Sequence, residues 1–70
     1  MTEEQLIATV AEMLEVEPSA VKMDSSLEEL GWDSLCRIGF IAAVDEETGR
    51  TVSPEALKAC ATVADLHALA

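Results

Sequence analysis

Three places in this 70-residue chain set a hydroxyl where an α-helix begins, and together they leave little room for anything but a helical fold. Thr2 with Gln5, and Thr62 with Asp65, have capping-box spacing. In that arrangement each side chain satisfies a backbone N–H that the first turn leaves unpaired. Ser53-Pro54 is the third start: a capping serine followed by proline at the first helical position, where the missing N–H is harmless and φ is already helical. Behind Thr2, the residues Leu6, Ile7, Val10, Met13 and Leu14 recur at helical spacing and predict a helix from about Glu3 to Glu15. Pro18 then marks a break. Residues 16–33 read as a long, flexible acidic connection with short helical turns around Ser19–Val21 and Ser26–Leu30. A connection this long in so small a chain is usually functional.

A second helix is expected from Asp33 or Ser34 to about Glu47, with Gly49 in the left-handed position beyond its end. A short third helix runs from Ser53 through about Ala59, and a last one buries Val63, Leu66 and Leu69. The expectation is a single all-α domain over residues 1–70: a small four-helix bundle with a long loop between the first two helices and a short third helix. The second helix carries two apolar stripes. At about 100° per residue, Leu35, Ile38 and Ala42 form one, and Phe40, Ile41 and Val44 form another on roughly the opposite side. Both cannot face the same core.

That core must be thin, because a chain of this size buries only about 60% of its unfolded surface. Half the residues are apolar, but eleven are alanine and the only aromatics are Trp32 and Phe40. Fourteen acids against four basic residues give a net charge of −10. Phosphate binding needs clustered Lys and Arg, so nucleic acid is excluded as a partner, and anionic membranes are disfavoured likewise. Partners with basic docking patches are favoured instead. No run approaches the roughly 20 apolar residues that span a bilayer, and the acidic N-terminus lacks signal-peptide features, so a cytoplasmic location is expected. Cys36 and Cys60 make no disulfide framework, and with His67 they fit no zinc spacing; free thiols and no metal site are expected.

The run Gly31-Trp32-Asp33-Ser34-Leu35 puts one hydroxyl where the loop meets the second helix. A nucleophilic serine needs a base, and the single histidine, His67, lies far along the chain in another helix. With no oxyanion site in view either, a serine hydrolase is disfavoured. Ser34 is better read as an attachment point on which other enzymes act. Backbone N–H groups and the helix dipole would favour a phosphodiester placed there. The simpler alternative is that Asp33 and Ser34 only cap the helix, making the chain an unmodified acidic interaction module that binds one partner through Leu35 and Ile38.

In this context the chain resembles the acyl carrier proteins and related peptidyl carriers. Leu30-Gly31-Trp32-Asp33-Ser34-Leu35 is similar to their modification site, Asp45-Glu46-Glu47-Thr48-Gly49 to the acidic end of their second helix, and Thr62-Val63-Ala64-Asp65-Leu66 to the start of their last helix. The resemblance implies a non-enzymatic four-helix carrier with a covalent 4′-phosphopantetheine arm on Ser34. It further implies that acyl or aminoacyl groups are held on the arm as thioesters. Its partners would be a phosphopantetheinyl transferase, a loading enzyme and downstream transferases or synthases, all acting on a monomer. Asp33, beside the hydroxyl, could help hold magnesium during modification. The resemblance also assigns the stripe of Phe40, Ile41 and Val44 to the core, and that of Leu35, Ile38 and Ala42, with Trp32 and Gly39, to partner binding.

The chain departs from the fatty-acid type of carrier just after the serine, where Cys36, Arg37, Ile38 and Gly39 stand in place of acids and no acid follows until Asp45. This points to a dedicated partner set, as in polyketide, nonribosomal peptide or modified fatty acid pathways. Arg37, one turn beyond Ser34, is placed to contact the phosphate of the arm. Gly39 would allow a partner backbone to approach closely. The helix dipole should lower the Cys36 thiol pKa. Cys60 is expected to be buried and His67 solvated near a helix C-terminus. Thr48 stands where many relatives have an aromatic plug, a space that Phe40 would partly fill.

Overall fold

Thr2 Oγ1 accepts the Gln5 N–H at 3.1 Å while Gln5 Oε1 accepts the Thr2 N–H at 3.0 Å, so α1 (Glu3–Leu14) opens on a closed capping box. The computed structural model describes residues 1–70 as five α-helices and one 3₁₀ turn, with no strand. α1 stops one residue earlier than its periodicity predicts. Glu15 turns left-handed at φ 57° and ends the helix in a conformation usually left to glycine.

The connection that follows holds the 3₁₀ turn Pro18–Ala20 and α2 (Leu27–Leu30), which Ser26 caps and which Gly31 ends at φ 84°. This segment is less free than its polar sequence suggests. The Leu27 N–H donates to the Ala61 carbonyl at 2.9 Å, Val63 N–H to Ser25 at 3.2 Å and Ala64 N–H to Met23 at 2.8 Å. These bonds make a single antiparallel bridge, Ser26 to Thr62, between the loop and the start of the last helix. Val21 and Leu27 anchor the loop from inside, each only 3% exposed.

α3 (Ser34–Thr48) ends at Gly49 in the left-handed region, as expected. α4 (Pro54–Lys58) starts at the Ser53 cap and ends one residue short of Ala59, and α5 (Val63–Leu69) starts at the second capping box. The core joins Leu6, Val10 and Ala11 of α1 to Phe40 and Val44 of α3, Leu57 of α4, and Val63 and Leu66 of α5. Phe40 is fully enclosed and fills the centre. Fully burying a side chain of this size stabilises by roughly 1.5–3 kcal/mol.

The two stripes of α3 part as the resemblance implied. Phe40 and Val44 face inward and Ile41 is half-buried, while Leu35 and Ile38 remain 78% and 65% exposed and Ala42 is exposed beside them. Thr48 is no inner plug: it is exposed, donating to the Val44 carbonyl at 2.8 Å and accepting from the Arg50 N–H at 3.2 Å. His67 is half-buried rather than solvated, with Nε2 donating to the Met1 carbonyl at 3.0 Å.

Candidate attachment site

Asp33 sits just ahead of α3 with extended backbone, and its Oδ1 accepts the Cys36 N–H at 2.9 Å. That bond from Cys36 holds the Asp33 carboxyl below its ordinary pKa, so the cap is ionised at neutral pH. Because Asp33 performs the capping, Ser34 at the first helical position has no backbone to serve. Its side chain is exposed, and its Oγ accepts from Arg37 Nη2 at 3.0 Å. The i, i+3 spacing brings the guanidinium back over the hydroxyl. A fixed cation thus stands beside an open alcohol at a positive helix end, an arrangement suited to a phosphate diester.

The neighbours divide between surface and interior. Leu35 and Ile38 are exposed on the outer face of α3. Gly39 turns instead toward α1, where a Cβ built on it would lie 3.6 Å from Met13 Cε and 3.7 Å from Sδ. It therefore serves the packing of α1 on α3 more directly than the outer stripe. Trp32 is half-buried and packs against the core, meeting Phe40 edge-on with centroids 5.8 Å apart and planes at 72°. Its backbone N–H donates to the Leu27 carbonyl at 3.0 Å, and its Nε1 is buried with no hydrogen-bond partner. An orphaned donor of this kind typically costs about 1–3 kcal/mol.

The Cys36 thiol departs from expectation. Partial burial first, and then the Asp33 carboxylate, push its pKa up, outweighing a hydrogen bond with the Asp33 backbone and the charge of Arg37. Cys60 is half-buried, its pKa is also raised by burial, and its Sγ donates to the Ala56 carbonyl at 3.4 Å. His67 is tied to Met1, and no His, Cys, Asp or Glu group is assembled to hold a metal.

Two concavities lie along α1 and α3. One, about 220 Å³, is lined by Met13, Asp33, Leu35 and Cys36 beside the serine; the other, about 420 Å³, is lined by Thr9, Glu12, Met13, Ala43, Glu46 and Glu47. Neither reaches the buried centre around Phe40. Sequence reasoning missed the orphaned indole and the Gly39–Met13 contact. The second had one signal, a glycine inside a helix that costs stability unless something packs against it.

A profile of the phosphopantetheine attachment site family matches residues 4–69 of this chain, Ser34 included. The chain belongs to the phosphopantetheine carrier family. It is similar to the acyl carrier proteins of two strains of Treponema pallidum, one of them strain Nichols, at 41% identity over 61 residues in each case. Those matches cover 86% of this chain and 78% of each relative. No solved structure matches it. Carriers of this family bear covalent 4′-phosphopantetheine and deal with phosphopantetheinyl transferases and acyl-handling enzymes; they are not themselves enzymes. The open hydroxyl and its guanidinium neighbour fit such a group, and no helix is long and apolar enough to cross a membrane.

Proposed function

We propose that Ser34 is the arm-bearing residue of a monomeric carrier domain, and that Arg37 contacts the phosphate while Asp33 caps the helix and orients the site. The prosthetic group supplies a terminal thiol on a flexible tether, which holds cargo as a thioester and raises its effective concentration at each partner. Leu35, Ile38 and Ala42 form the docking stripe, since an apolar face beside an attachment point is better covered than left in water. The cargo is acyl or aminoacyl, and the partners act in trans. A first turn without acids, from Ser34 to Arg37, supports a specialised pathway over docking on a strongly basic patch. Two free, partly buried thiols suit the reducing cytoplasm.

The observation that carries the reading is the 3.0 Å contact from Arg37 Nη2 to an exposed Ser34 Oγ that caps nothing. A serine kept only for helix capping would bond the first turn, and here Asp33 already does so. The competing view, an unmodified interaction module, therefore gives Ser34 no work.

Incubation with a broad-specificity phosphopantetheinyl transferase and coenzyme A should add one arm by intact mass, and Ser34→Ala should abolish the addition. In Arg37→Ala the arm should still attach, but its phosphorus NMR resonance should shift. An unmodified wild type, or addition that survives Ser34→Ala, overturns the assignment; an unmoved phosphorus resonance removes Arg37 from it.

A further inference from the structure

The guanidinium of Arg37 is spent on an alcohol rather than on an acid. Its Nη2 donates to Ser34 Oγ at 3.0 Å, while the carboxylate of Asp33 next to that serine takes the Cys36 N–H instead. Arg37 is the only basic residue of α3, and one of four in a chain that carries fourteen acids. A bidentate carboxylate would hold a guanidinium more strongly than one hydroxyl does. The cation stands where an anion has still to arrive.

Attachment of the arm brings that anion, the pyrophosphate of coenzyme A, up to Ser34 Oγ. A chain of net charge −10, with a carboxylate beside the alcohol, repels it. In the transition state, negative charge is spread over the non-bridging oxygens of the phosphorus under attack and over the leaving oxygen. A donor already aimed at that charge lowers the barrier, because it needs no reorganisation at the moment of reaction. A guanidinium has five N–H groups in a rigid fork, so one can stay at Oγ while another meets a phosphoryl oxygen.

We propose that Arg37 is a catalytic residue of the arm-transfer step, supplied to the transferase by its own protein substrate. The proposal rests on the reading of Ser34 given above, and it extends the part of Arg37 from holding the finished diester to making it. A lone pair of Ser34 Oγ forms the bond to the phosphorus that bears the pantetheine, and the bond from that phosphorus to the bridging oxygen breaks. Adenosine 3′,5′-bisphosphate leaves with the electron pair. The hydroxyl proton goes to a base of the transferase, since Arg37 is never deprotonated and Asp33, held ionised by its bond from Cys36, is a weak base. Arg37 stays a cation throughout and donates to the phosphoryl oxygens.

The test is a single-turnover measurement, with a broad-specificity phosphopantetheinyl transferase in excess over carrier, coenzyme A saturating, and arm addition followed by intact mass after rapid quenching. The rate at saturating transferase reads the chemical step, and the transferase concentration that gives half of it reads docking. Arg37→Ala should lower the saturating rate roughly 100-fold, the low end for losing one donor at a developing oxyanion, with the half-saturating concentration unmoved. Arg37→Lys, which keeps the charge but not the fork, should fall between. Arg50→Ala removes the same charge just beyond the far end of α3 and should match wild type.

An unchanged saturating rate in Arg37→Ala overturns the proposal. So does a loss confined to the half-saturating concentration, which makes Arg37 a docking residue, and so does an equal loss in Arg50→Ala, which makes the effect one of net charge. Should Arg37→Ala melt below the assay temperature, Arg37→Gln takes its place with the same expected loss. A wild type that takes up no arm, or an arm that survives Ser34→Ala, brings down the reading of Ser34 itself. An arm made on Ser34 at full rate without Arg37 brings down this inference alone.

Discussion

At the start of α5, Thr62 Oγ1 accepts the Asp65 N–H at 3.4 Å, and Asp65 Oδ2 accepts the N–H groups of Ala61 at 2.9 Å and Thr62 at 3.0 Å. At the start of α3, Asp33 makes one such bond, to Cys36, and the neighbouring hydroxyl of Ser34 meets only Arg37. Both starts solve the same problem of unpaired first-turn donors. In α5 the capping hydroxyl and the acid three residues on both bond the backbone, and the bridge to Ser26 fastens it further. In α3 a single acid does the capping and a hydroxyl is left over. That surplus marks the difference between a helix start that holds the fold and one that presents chemistry.

Thr62→Ala tests the comparison hardest. Losing a cap of this type costs about 1 kcal/mol, which in a chain of this size lowers Tm by roughly 4–8 °C in thermal unfolding followed by circular dichroism. Ser34→Ala should stay within about 0.5 kcal/mol of wild type, as surface changes do. Equal losses at the two positions would erase the contrast.

Gly39→Ala comes next and should raise stability by about 0.5–1 kcal/mol. The new Cβ meets Met13 at ordinary contact distance, so the gain is not cancelled by a clash. A fall in Tm would show that the less firmly capped α3 also depends on an open crossing with α1.

The smallest effect is on acid stability. The Asp33 and Asp65 carboxyls are both held below their ordinary pKa by backbone N–H donors, from Cys36 for the first and from Ala61 and Thr62 for the second. The native state thus binds fewer protons than the unfolded chain near pH 4. Stability from these bonds is complete above the usual carboxylate pKa of about 3.9 and drains away as pH falls through the lower folded values. Urea midpoints taken from pH 5 down to 2 should fall less steeply in Asp65→Asn than in wild type. Asp33→Asn, with fewer strong backbone bonds behind its shift, should flatten the curve less.

The features legible in the chain were those decided within a few residues. Capping boxes at Thr2 and Thr62, the Ser53-Pro54 start and the Gly49 stop depend on spacing alone, and helix ends fell within about a residue of expectation. The two faces of α3 were visible as angles, but only family resemblance said which was inner. What escaped was set by encounters between distant segments. The Ser26–Thr62 bridge uses backbone groups that have no sequence signature, and Gly39 came to face Met13 through the crossing of two helices. Cys36 shows a wrong balance: the helix end was anticipated, whereas partial burial and the Asp33 charge win. The site was readable as a motif, while the unpaired Trp32 Nε1 depended on how the ring came to pack.

The bridge between the loop and α5 bears on how this scaffold tolerates change in length. Surface connections ordinarily accept extra residues at little expense. Here the stretch from Met23 to Leu27 is fastened at both ends to residues 61–64, so an insertion within it would throw the paired amides out of step and loosen the last helix. Lengthening between Val16 and Pro18, ahead of the buried Val21, avoids that lock. A scaffold re-engineered for new enzymes has its spare length there, well away from the segment that delivers Ser34.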